Sequence, residues 1–121
     1  MTIRSEMDGA GDLDQTARWL MRHRGRVLNL DGTKRLTLGA PISGARSVIV
    51  TAVLQDGEST PQLGGVVRAL ASRYESEPVR LVFEGRSAAG MPRAEAEAVA
   101  VEVLERIARL VVDRPALAEV A

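Results

Sequence analysis

Few residues in this chain could do chemistry. The segment Gly85-Arg86-Ser87-Ala88-Ala89-Gly90-Met91-Pro92-Arg93 joins an expected strand to an expected helix. Backbone amides and the helix dipole favour anions at such a junction. Gly85, Arg86, Gly90 and Arg93 therefore form a candidate phosphate or carboxylate site. The Gly-x4-Gly spacing matches the opening of a phosphate-binding loop. Met91 and Pro92 stand where Lys and Ser or Thr would contact phosphate and Mg²⁺. NTP hydrolysis is disfavoured on that ground, and passive anion binding survives. His23 is the single histidine and there is no cysteine. Disulfides and thiolate chemistry are excluded, and a Cys/His zinc site lacks its ligands. Glu84 stands alone near the loop, whereas most hydrolytic acid–base schemes need paired carboxylates. No catalytic residue is assigned, and no metal or cofactor is implied.

A second group is basic. Arg18, Arg22, Arg24, Arg26, Lys34 and Arg35 face Asp31 alone within residues 18–35, while the formal net charge of the whole chain is zero. Such a cluster can bind phosphates and is the electrostatic footprint of a nucleic-acid binder. The expected order α-β-β-β-α resembles double-stranded-RNA-binding folds in outline. Those folds carry a basic cluster at the start of the second helix. Here that start reads Pro61-Gln62-Leu63-Gly64-Gly65, without charge. Single-strand binders stack bases on aromatics, and only Trp19 is near. A solvated basic face, balanced by acids elsewhere, is the favoured reading.

The elements that must position these groups follow from patterning. A chain of 121 residues fits one domain. Residues 1–11 are polar and without period, and are expected to form a flexible N-terminal tail. A single α+β domain is expected over residues 12–121. Asp12 is a natural N-cap, and Leu13, Ala17, Leu20 and Met21 recur at helical spacing. Residues 26–30 and 34–38 read as a hairpin around Asp31-Gly32-Thr33. Ser47 to Leu54 is a β-branched run suited to a central strand. Leu63, Val66, Val67, Leu70, Ala71 and Tyr74 fit one face of a helix opened by Thr60 and Pro61. Residues 79–83 read as a fourth strand. The expected architecture is a small two-layer α+β domain of order α-β-β-β-α-β-α, with helices on a mostly antiparallel four-stranded sheet.

The last helix, from Pro92 to about Val112, carries the most information. On a helical wheel Glu95, Ala98, Glu102, Glu105, Arg106, Arg109 and Asp113 gather in a wedge of about 100°. The rest of the circumference is apolar, roughly twice the stripe of an ordinary surface helix. Its residues include Val99, Val101, Val103, Leu104, Ile107, Ala108 and Val111. One flank is expected to pack on the sheet and the other on a second chain. The alternative is a groove within the same domain. The aromatics are only Trp19, Tyr74 and Phe83, so the core is thin, which also favours oligomerisation. Trp19, off the apolar stripe of the first helix, joins the expected interface.

The functional expectation is a non-enzymatic protein-interaction or regulatory module, self-associating as a dimer through the C-terminal helix or binding a protein partner there. Nucleic-acid binding through residues 18–35 and anion binding at residues 85–93 are the alternatives. No apolar run approaches the roughly 20 residues that span a bilayer. With no signal-like N-terminus and no cysteine, a cytoplasmic location is expected. Arg outnumbers the single Lys34 so heavily that a GC-rich bacterium or its phage is the expected source.

Overall fold

Alternation decides most of this fold. In the computed structural model, Val48, Val50, Ala52 and Leu54 of one strand are buried, while Ile49, Thr51 and Val53 point the other way. That strand is β5 (Ser47–Asp56) of a seven-stranded antiparallel sheet. The other strands are β1 (Thr2–Asp8), β2 (Val27–Asn29), β3 (Lys34–Leu38), β4 (Ile42–Ser43), β6 (Leu63–Leu70) and β7 (Arg80–Ser87), with helices α1 (Leu13–Arg22) and α2 (Arg93–Val120). The sheet runs β1-β7-β6-β5-β3-β2, and β4 also pairs with β5. The structure describes residues 2–9, 11–30, 32–58, 61–71, 78–88 and 91–120, and the side chains of 110–120 lie outside that description. Tyr74 and Gly90 are therefore outside it, as is the side chain of Val111.

The α+β class and the antiparallel sheet agree with the sequence reading, but the strand count and order do not. Residues 2–8 are an edge strand, not a flexible tail. They pair with β7 from Thr2↔Arg86 to Asp8↔Arg80. The segment read as a second helix is β6. Its spacing satisfies both periods, because Leu63, Gly65, Val67 and Ala69 also alternate onto one face. The glycine pair decides between them: two glycines cost a helix about 2 kcal/mol relative to alanine. In the sheet Gly65 lies in register with Gly85. A Cβ on Gly65 would strike the Glu84 carbonyl and the Gly85 Cα, and one on Gly85 would strike the Gly64 carbonyl and the Phe83 ring. The strands approach closely there because neither carries a side chain.

Helix α1 follows its sequence signals. The Asp12 carboxylate accepts from the Gln15 amide at 2.7 Å. Beyond its end Gly25 takes a φ of 73°. Gly32 and Gly57, with φ of 69° and 62°, turn the chain into β3 and out of β5. Both are conformations that glycine adopts without a Cβ penalty.

The core lies between one face of the sheet and the two helices. Ile3, Leu36, Leu54, Val67, Leu81 and Phe83 from the strands meet Trp19 and Leu20 of α1 and Val103, Leu104 and Ile107 of α2 in one cluster. Helix α2 rests chiefly on β1 and β7 and also touches α1. It begins at Arg93 and continues past Pro115, beyond the end expected near Val112. A proline inside a helix removes one amide donor without forbidding continuation. Among the described residues no helix is long and apolar enough to cross a membrane.

Candidate interaction surfaces

The expected interface on α2 is displaced by the chain's own sheet. Val99, Val103, Leu104 and Ile107 are at most 4% exposed, and Ala108 is 9% exposed, all within the core of the same chain. Trp19 is likewise buried, its ring 4.3 Å from that of His23. Val101 alone of the described interface candidates is open, at 40%. The N-terminal segment supplies β1, the strand on which α2 mainly rests. On the other side Arg106 Nη2 donates to the Asn29 carbonyl of β2 at 3.0 Å. With β1 in the sheet, most of the described apolar arc of α2 is buried within the chain, and Val101 is left open.

The basic group does not converge. Arg18, Arg22 and Arg24 are exposed along and just beyond α1. Arg18 Nε donates to the Asp14 carbonyl at 3.4 Å and Arg24 Nη1 to the Met21 carbonyl at 2.8 Å. Arg26 Nη1 lies 3.4 Å from His23 Nδ1. Arg35 belongs to the opposite face of the sheet from α1, and its Nη2 donates to the Gly57 carbonyl at 2.6 Å. Lys34, half-buried, sits in register with Asp56. Several of these cations thus hold the chain's own carbonyls, and the set is split between two faces.

The anion-site candidates are separated as well. Gly85 and Arg86 lie within β7, which extends further than expected, so the connection to α2 is shorter. Arg86 is exposed on the outer face, between Thr2 and Gly64. Arg93 lies in the first turn of α2, where its Nε meets Glu97 Oε1 at 2.9 Å. Ser87 Oγ, in the same stretch, is buried with no hydrogen-bond partner among the described residues.

What the sequence reading missed is the outer face of the sheet, which carries neither helix. Cross-strand register places Val27, Thr37, Val53 and Gly64 in one row. Thr51 and Val66 form the next, followed by Ile42 and Ile49. This half of the face bears no charge, and Ile42 is 72% and Val27 49% exposed. The half on β1, β7 and Arg68 of β6 is charged. There Arg4 pairs with Glu6 at 2.7 Å and Arg68 with Glu84 at 3.4 Å. Arg4 holds the Glu6 carboxyl below its ordinary value chiefly through their hydrogen bond; desolvation opposes this, and the charges of Arg4 and then Arg80 add to the lowering. The signal was the composition of β5, whose second set, Ile49, Thr51 and Val53, is β-branched throughout. That pattern reads as a strand buried on both faces, yet helices cover only one.

No protein-family model matches this chain, and no curated protein matches it. Among solved structures it is similar to the crystal structure of DynU16, a protein of the dynemicin biosynthetic locus. The TM-score is 0.50 at 11% identity, over 91% of this chain and 46% of that one. The chain thus spans less than half the length of that neighbour, and the likeness concerns the fold.

Proposed function

We propose that this chain is a non-enzymatic protein-interaction module that receives its partner on the uncharged half of the outer sheet face. The observation that carries this reading is the tract of Val27, Thr37, Ile42, Ile49, Thr51, Val53 and Val66, left uncovered by either helix. Monomeric proteins leave few such tracts in water, and a polar rim around one marks a binding surface. Arg35 bounds it on one side and Arg68, Glu84 and Arg86 on another. A flat face of β-branched residues suits a partner that presents an apolar sheet or helix face of its own.

The test compares wild type with an Ile42→Glu, Val53→Glu double variant as baits in extract of the source cell. Both positions are on the outer face, so the variant should fold. A protein retained by wild type and lost from the variant supports the reading. An identical set retained by both contradicts it.

A further inference from the structure

We infer that β1 is a self-complementary edge through which two copies of this chain join their sheets. This inference concerns a different surface from the uncharged face and does not depend on it. Among the described residues β1 pairs on one side only, with β7. The bond from the Gly9 amide to the Val79 carbonyl, 2.6 Å, fixes the phase of that pairing. Ile3, Ser5 and Met7 turn their backbone groups toward β7, and Thr2, Arg4, Glu6 and Asp8 turn theirs outward. An open edge of seven residues is a template for another strand.

The sequence of the edge selects its partner. Thr2-Ile3-Arg4-Ser5-Glu6-Met7-Asp8 meets a second copy of itself antiparallel about a two-fold axis at Ser5. In that register Arg4 lies opposite Glu6 of the second copy and Glu6 opposite its Arg4. Ile3 lies opposite Met7 on the core side. The outward-turned backbone groups fall opposite one another, as an antiparallel ladder requires. Sliding by two residues either way places Arg4 opposite Arg4 or Glu6 opposite Glu6 on the axis, and like charges directly opposite are destabilising. Sliding by one exchanges the core and solvent faces. Charges on an edge strand commonly guard it against pairing; here the Ser5-centred register is the one that sets both Arg4–Glu6 pairs opposite each other with no like charges opposed. On the core side, Val101 is on the flank of α2 turned about 140° from Arg106, away from β2, where its 40% exposure is available to its counterpart.

The experiment is the mass of the full chain in solution, by sedimentation over a wide concentration range, for wild type, Arg4→Glu, Glu6→Arg, the double exchange Arg4→Glu with Glu6→Arg, and Glu6→Pro. Wild type should be a dimer at high concentration. Each single reversal should weaken it on the order of tenfold, because two symmetric pairs turn repulsive together. The double exchange should restore the wild-type affinity. Glu6→Pro should fold and remain monomeric, since the amide it removes points away from β7 and proline is tolerated on edges. A monomeric wild type at every concentration overturns the inference. So does a dimer indifferent to the single reversals, or a double exchange no tighter than they are.

Discussion

Arg106 of α2 donates a hydrogen bond at 3.0 Å to the carbonyl of Asn29, at the end of β2 and 77 residues away in sequence. The helix rests on the strand at one end of the sheet order and is tied by this bond to the strand at the other. Most of the described apolar arc of α2 is thereby buried inside one chain, Val101 excepted. Replacing Arg106 with Met keeps the aliphatic stem and removes the donor. Stability should fall by about 1 kcal/mol, the net worth of one partly exposed hydrogen bond, and the melting temperature by roughly 3–5 °C.

Gly65 and Gly85 face each other across β6 and β7, and a Cβ on either would strike the opposite strand. Gly65→Ala should destabilise by about 2–3 kcal/mol, the scale of overpacking against groups that cannot move. Gly64→Ala is the control, because a Cβ there meets nothing within 4 Å. It should be neutral, or stabilise by about 0.5 kcal/mol through the unfolded chain. Denaturant midpoints of the two variants check the contrast.

Ser87→Ala tests the buried hydroxyl. Its Oγ has no partner among the described residues, so removal should raise stability by about 1 kcal/mol, the lower range for relieving an unsatisfied polar group. A loss of stability would mean that this hydroxyl has a partner in solution.

The acid limb of stability should carry a small contribution from Glu6. Its carboxyl titrates below the ordinary value of 4.5 because Arg4 bonds and attracts it. The folded state therefore holds this proton less tightly than the unfolded state. The contribution is present above that ordinary value and fades as pH falls through the lower folded value. Glu6→Gln should flatten the acid limb slightly and leave stability at neutral pH nearly unchanged, since both partners are exposed. Unfolding curves from pH 7 down to about 3 read this directly.

Local signals and long-range ones were not equally legible in the sequence. Asp12 capping α1, Gly32 in the hairpin and the β-branched run of β5 as a strand are decided within a few residues, and each is found where the sequence places it. The wide apolar arc of α2 reads as that of a helix with much to bury. What covers it is not legible, because β1 pairs with a strand nearly 80 residues away and shows only Ile3 and Met7 as apolar markers. Strand β6 was obscured because Gly65 occupies an inward position and so removes the apolar residue that would have shown the alternation. The candidate sites on residues 18–35 and 85–93 were chosen by charge and spacing, and cross-strand register then sends Arg35 and Arg86 to the face opposite α1. The uncharged outer tract is built from five strands, and only their register brings it together.

Side-chain footprinting of the chain with and without its captured partner addresses the central claim most directly. Radical labelling of Ile42, Val27 and Val53 should fall on complex formation, while Arg18, Arg22 and Arg93 keep their free-state reactivity. Unchanged labelling at Ile42 and Val53, with protection appearing along α1 or at the start of α2, would contradict the outer face as the partner's seat.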